Sequence, residues 1–175
     1  MKFVKLHFKF EKQYRLSGWD YSRSGLYFVT ICTKDRVNFL GKINQGKIEL
    51  SEIGKLTKKF WLEIPSRFKN IYLDNFCVMP NHVHGIIICR NRPRPVPTIG
   101  AETYYQNVPI NSISTVINHF KGYVTKECKI NSITFSWQSR FHDRLIRNER
   151  EYFAIKQYIK DNPKNWLKDK EYSYV

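Results

Sequence analysis

Two β-prone runs separated by only two residues constrain this chain most: residues 71–79 (IYLDNFCVM) and 82–90 (HVHGIIICR) flank Pro80-Asn81. Pro and Asn together mark a turn, and a parallel crossover needs about a dozen residues or more. The two runs can therefore pair only as an antiparallel hairpin. An earlier run, residues 25–33 (GLYFVTICT), is β-branched and aromatic and reads as a buried strand. A short hairpin follows it, with Asn44-Gln45-Gly46 as its turn and residues 47–50 returning. Ser51 stands where an N-cap belongs, ahead of Ile53, Leu56, Phe60, Trp61 and Ile64 at helical spacing, and Pro65 is expected to stop that helix. Ser112 precedes a second helical stripe of Ile113, Val116, Ile117, Phe120 and Val124. Residues 144–147 predict an edge strand. A last helix is expected from about residue 147 to 162, since Pro163 disfavours further helix.

The order strand–helix–strand–strand–helix–strand, plus a terminal helix, predicts an α+β fold. Its sheet is expected to be antiparallel and ferredoxin-like, with helices on one face and a further C-terminal helix. At 175 residues the chain has room for one domain spanning residues 1–175. Residues 91–111 contain Pro93, Pro95, Pro97 and Pro109 and predict a long, mobile surface loop.

Charge narrows the choice of partner. Thirty Lys+Arg against fifteen Asp+Glu give a formal charge of +15, where a small domain usually carries about 2–8 in magnitude. With 42% hydrophobic residues the excess sits on a folding sequence, so a polyanion, nucleic acid first, is the expected partner. Residues 1–24 interleave bases with aromatics. Tyr14, Arg15, Trp19 and Arg23 are candidates for reading a nucleic acid, with sheet packing as the alternative. No run approaches the ~18 apolar residues of a membrane span. The opening MKFVKLHFKFEK alternates charge with hydrophobe, unlike a signal peptide. A cytoplasmic chain without a membrane partner is expected. Cys32, Cys77, Cys89 and Cys128 show no C-x-x-C spacing and read as buried, reduced thiols. Asp20, Asp74 and Glu151 lack the spacing of a multi-carboxylate nuclease. His142-Asp143 would face opposite ways on a short strand, and His7 and His119 have no partner in the sequence.

His82 and His84 flank Val83, so on a strand both imidazoles project from one face. Such a pair is half of a divalent-metal site, or else two surface histidines in a turn. Tyr158 and Asn162 are four residues apart and share one helical face, about 6 Å apart along the axis. Alone they read as a packing tyrosine and a C-terminal cap, on a helix buried by Tyr152, Ile155 and Ile159.

Taken together, VMPNHVHGI (residues 78–86), WQSRFHDRLIRNEREY (137–152) and QYIKDNP (157–163) resemble the REP-associated tyrosine transposases. These are members of the single-tyrosine HUH transposase superfamily. YFVTICT (27–33) and NHFKGYVT (118–125) are similar to its pattern too, so the resemblance covers about residues 13–167. It implies that Tyr158 is the nucleophile and that His82, His84 and Asn162 hold Mg²⁺ or Mn²⁺. It further implies cleavage and rejoining of single-stranded DNA at hairpin-associated repeats, through a 5′-phosphotyrosine. Some relatives carry a glutamate just before the first histidine, where this chain has Asn81. Arg140, Arg144, Arg147 and Lys160 lie close to the site in sequence and are candidates for phosphate contacts, or form a solvated face. Trp137 and Gln138 are candidates for base contacts, although core packing is the first reading for Trp137. Two rival readings stand beside this one: a domesticated repeat-DNA-binding protein with little or no cleavage, and an RNA-binding ferredoxin-like domain. Relatives of this kind act either as monomers or as homodimers that exchange tyrosine helices.

Overall fold

The computed structural model describes residues 24–90, 94–95, 105–106 and 112–168. β1 (Gly25–Cys32) leads into the hairpin of β2 (Gly41–Asn44) and β3 (Lys47–Leu50), then α1 (Glu52–Leu62) and α2 (Ile64–Arg67). The hairpin of β4 (Ile71–Val78) and β5 (His82–Cys89) follows, then a small ladder of β6 (Arg94–Pro95) and β7 (Tyr105–Gln106). α3 (Ile113–Ile130), β8 (His142–Ile146), α4 (Glu149–Asp161) and a 3-10 stretch (Pro163–Lys168) complete the order. β4, β5, β1 and β8 form one sheet in that spatial order, and every neighbouring pair is antiparallel. The class is α+β, as the sequence implies.

Both long N-caps form as the sequence predicts: the Ser51 and Ser112 hydroxyls accept from the N–H groups of Gly54 and Thr115, at 3.1 and 3.2 Å. The β2–β3 turn places Gln45 (φ 49°) and Gly46 (φ 73°) in the left-handed region, as a two-residue hairpin of this hand requires. Three boundaries differ from expectation. α1 ends at Leu62, and Pro65 lies in the first turn of α2 instead of stopping a helix, where its missing N–H costs nothing. The edge strand is Gly-free β8 at 142–146, not 144–147, because its register on β1 runs from Thr30↔His142 to Leu26↔Ile146. α4 begins at Glu149 because Asn148 is extended and caps it, its Oδ1 accepting from the Glu151 N–H at 2.9 Å. Within 91–111, Arg94↔Gln106 and Pro95↔Tyr105 are paired. The rest of the expected mobile loop lies outside the described residues. So does the segment 1–23 with Tyr14, Arg15, Trp19 and Arg23.

The sheet has two different faces. On one, Tyr27, Val29 and Ile31 of β1 and Val83, Ile87 and Cys89 of β5 join Trp61, Phe120, Val124 and others from the helices in the larger core. Trp61 is fully buried, stacked on Phe76 at 5.9 Å and edge-on to Phe120 at 5.3 Å. It fits only because residue 85 is glycine, since a Cβ there would lie 2.2 Å from Trp61 Cζ2. On the other face, Phe28, Ile86 and Ile146 receive Ile155 and Ile159 of α4. All four cysteines are free, and burial pushes the Cys89 thiol up to about 12. Among the described residues no helix is long and apolar enough to cross a membrane.

Candidate active site

β5 carries the two imidazoles to the α4 face. Its odd residues feed the larger core, so His82 and His84, by strand alternation, emerge opposite Cys32 and Thr30 of β1 on the other side. The rings stand 4.3 Å apart, centroid to centroid. Both are buried, with 0% and 1% exposure, so they are not surface histidines of a turn. Thr30 Oγ1 meets Nδ1 of His84 at 2.9 Å, and Asn81 Oδ1 meets Nδ1 of His82 at 2.8 Å. Burial lowers the His84 imidazole to about 3, against a hydrogen bond to the Val29 backbone that acts upward. Burial, then the neighbouring His84 and Arg36, drives His82 well below its ordinary value. Both rings are therefore neutral at neutral pH, the form in which histidine ligates a metal.

α4 brings the phenol. Ile155 and Ile159 seat the helix on Phe28, Ile86 and Ile146, which leaves Tyr158 at the edge of that cluster. Its hydroxyl lies 3.1 Å from Nε2 of His84, and its ring is edge-on to Phe28 at 6.1 Å. Both edge strands fasten the helix. On the β8 side, Glu151 pairs with Arg144 and accepts from the Arg147 N–H at 2.9 Å. On the β4 side, Asp74 accepts from the Tyr152 hydroxyl and pairs with Lys156 at 3.2 Å, while Lys156 also donates to the Tyr152 oxygen at 3.1 Å. Burial works to raise the Asp74 carboxyl, yet the bonds from Tyr152 and Lys156 hold it below its ordinary value.

Asn162 caps the C-terminus of α4 and is buried, one turn beyond Tyr158. Trp166, in the 3-10 stretch that follows, lays its ring 6.0 Å from that of His82. Among the described residues no group of three His, Cys, Asp or Glu side chains is placed to hold a metal. The donor set that the resemblance names is two neutral imidazoles, which the structure places side by side, and the carboxamide of Asn162. It fits a divalent ion that takes its remaining ligands as oxygens from outside the chain, with loose affinity for Mg²⁺, which prefers oxygen. Because the Tyr158 hydroxyl stands against Nε2 of His84, that phenol must shift before an ion can reach the nitrogen.

The proposed DNA-contacting residues separate. Arg140, Arg147 and Lys160 are exposed, and Arg144 is half-exposed while paired with Glu151. Trp137 is only 9% exposed and packs in the larger core with Phe135 and Phe120, so its ring is a packing element and presents no face to a base. Gln138 is tied down by its backbone: its N–H donates to Cys32 O at 2.9 Å, and its carbonyl accepts from Lys121 Nζ at 2.6 Å. Sequence reasoning missed Thr30, Phe28 and Trp166 as neighbours of the imidazoles. Only the β1–β5 register, which sets Thr30 opposite His84, would have pointed to the first.

No family model matches the chain. An uncharacterised protein of Haemophilus influenzae (strain Rd) is 32% identical over 163 residues, covering 90% of this chain and 91% of that protein. Among solved structures, a REP-associated tyrosine transposase bound to a REP hairpin superposes with a TM-score of 0.59 at 19% identity, over 89% of this chain and 74% of that one. A candidate transposase of Deinococcus radiodurans R1 gives a TM-score of 0.48 at 17% identity, over 86% of this chain and 97% of that one. The chain thus belongs to one family with the Haemophilus influenzae protein, and its fold is that of the REP-associated tyrosine transposases which its motifs resemble.

Proposed function

We propose that this chain is a metal-dependent, HUH-type endonuclease and strand transferase for single-stranded DNA, acting at hairpin-associated repeats through Tyr158. The observation that carries the reading is the convergence of the Tyr158 hydroxyl on His84, 3.1 Å from Nε2, beside a second imidazole on the same strand. The sheet order β4-β5-β1-β8, with helices in its crossovers, supports a ferredoxin-like reading of the fold and with it the same assignment. The REP hairpin bound by the structural neighbour supports hairpin DNA as the substrate class.

In the proposed step the Tyr158 oxygen bonds to phosphorus and the P–O3′ bond breaks. The proton lost by the phenol is balanced by the one the departing 3′ oxygen takes up, leaving a 5′-phosphotyrosine and a free 3′-OH. Mg²⁺ or Mn²⁺ held by His82, His84 and Asn162 supplies, when bound, charge neutralisation and orientation for the phosphate oxygens. Before an ion binds, the contact with Nε2 of His84 holds the phenol beside the site; once that nitrogen ligates the ion, the phenol is released toward the phosphate. At about 3 the His84 imidazole is far less basic than a phenolate, whose acid has a pKa of about 10, so it does not hold the phenol's proton by itself. The covalent bond conserves the phosphodiester's energy, so attack by another 3′-OH rejoins strands without ATP. Exposed Arg140, Arg147 and Lys160, on a chain of charge +15, would contact phosphates from the cytoplasmic DNA pool.

The test is a labelled hairpin oligonucleotide carrying a single-stranded flank, incubated with Mn²⁺. The expected outcome is a covalent protein–DNA adduct that vanishes in Tyr158→Phe, while binding stays within a few-fold and weakens steeply with salt. Tight binding with no adduct from the unmodified chain would instead favour the domesticated binder, and a preference for RNA the third reading.

A further inference from the structure

We propose that Asn81 is a positioning residue for His82: its amide decides which imidazole nitrogen carries the proton and leaves Nε2 as the electron-pair donor. The inference rests on the metal-site reading above. Asn81 belongs to the turn between β4 and β5, where an asparagine is ordinarily wet, yet it is 0% exposed. Its backbone carbonyl is held twice by Thr33, from the N–H at 2.9 Å and from Oγ1 at 3.0 Å.

The side chain completes a one-way chain of donors and acceptors. Nδ2 donates to the Arg36 carbonyl at 3.0 Å. A carbonyl oxygen can only accept, so the NH₂ end of the amide has to face Arg36. The oxygen end is then the one 2.8 Å from Nδ1 of His82. An amide oxygen also only accepts, so Nδ1 must carry the hydrogen. A neutral imidazole has a single ring proton, and Nε2 is left with its lone pair. The assignment follows from the acceptor-only carbonyl and not from an arbitrary choice of amide orientation. That carbonyl is itself held in place, because Asp35 and Arg36 occupy consecutive left-handed conformations (φ 52° and 56°) that fix the local turn. A carboxylate at position 81 would accept from Nδ1 equally well but could not donate to Arg36.

The test uses the full, metal-free chain labelled with ¹⁵N, reading the His82 tautomer from long-range ¹⁵N–¹H spectra, together with binding of Mn²⁺ alone followed by electron paramagnetic resonance. The unmodified chain should show His82 protonated at Nδ1. Asn81→Ala should distribute that proton over both nitrogens and weaken Mn²⁺ binding by about 10–100-fold, the usual effect of losing an outer partner of a metal-bound histidine. Asn81→Asp should keep the Nδ1 proton and bind Mn²⁺ within a few-fold of the unmodified chain. Protonation at Nε2 in the unmodified chain overturns the proposal outright, as does an unchanged tautomer in folded Asn81→Ala. Should Asn81→Ala not fold, the unmodified spectrum and Asn81→Asp decide, and a move of the proton to Nε2 in the latter counts against it. Equal Mn²⁺ binding by the unmodified chain and His82→Ala would reject the metal-site reading, while the tautomer result would still judge Asn81 separately.

Discussion

The two faces of the sheet are fed by the same strand and have opposite characters. Val83, Ile87 and Cys89 enter a dry core of aliphatic and aromatic side chains, and Gly85 makes room there for the indole of Trp61. His82, His84 and Ile86 meet α4, where a five-residue apolar cluster adjoins two buried imidazoles, an amide and two hydroxyls. The larger apolar core lies on the first face and the candidate site on the second. The contrast teaches that the site need not hold the fold together: most of the packed apolar side chains lie on the other face, against the helix layer.

The sharpest way to break this comparison is to exchange the costs. Trp61→Ala should destabilise the chain by about 3–5 kcal/mol in urea or thermal unfolding, the range for emptying a large aromatic from a core. Tyr158→Phe should change stability by less than about 1 kcal/mol while eliminating the adduct. Equal losses of stability would mean that α4 and its phenol are part of the main scaffold.

The next largest effect concerns acid. The unfolded chain protonates its histidines near pH 6.5, whereas folded His84 stays neutral down to about 3 and folded His82 is also depressed. Between those limits the unfolded state binds more protons, so stability falls as pH falls, by about 1.4 kcal/mol per pH unit for His84, with His82 acting in the same direction. The metal-free chain should therefore lose thermal stability below pH 6.5, and His84→Gln should make that decline shallower. An identical slope in the variant would show that the acid sensitivity comes from elsewhere.

A smaller effect tests the fastening of α4. Asp74→Asn keeps the shape but weakens the bonds from Tyr152 and Lys156, for an expected loss of about 1–3 kcal/mol. Faster amide exchange should accompany it at the N-terminal half of α4, leaving α1 and α3 unchanged. Smallest of all is a difference among thiols. Half-buried Cys77 should alkylate before Cys89, whose burial on the dry side keeps it protonated. Equal rates would mean that the dry face opens as readily as the other.

Much of this organisation is legible in local patterns. The 71–90 hairpin follows from the brevity of Pro80-Asn81, the caps follow from Ser51 and Ser112, and the shared face of His82 and His84 from strand alternation. The partners of the site residues are not legible in that way, because they come from distant positions. Thr30 and His84 are 54 residues apart in sequence, Asn81 and Arg36 are 45 apart, and Asp74 and Tyr152 are 78 apart. Each depends on a strand register or a helix docking that no neighbouring residue encodes. Trp137 shows the converse: core packing, the first reading of its sequence, is what the ring does against Phe135.

The short link between β8 and α4 has a mechanical consequence. Only Arg147 and Asn148 separate the strand from the helix, and two residues reach roughly 7 Å. That is too brief a leash for the helix to lie across another molecule's sheet in its present pose while its own strand stays home. Each copy is thus expected to be self-sufficient, and a mixture of Tyr158→Phe with His84→Ala chains should remain inert at every concentration. Recovered adduct would reveal that tethered helices trade places after all.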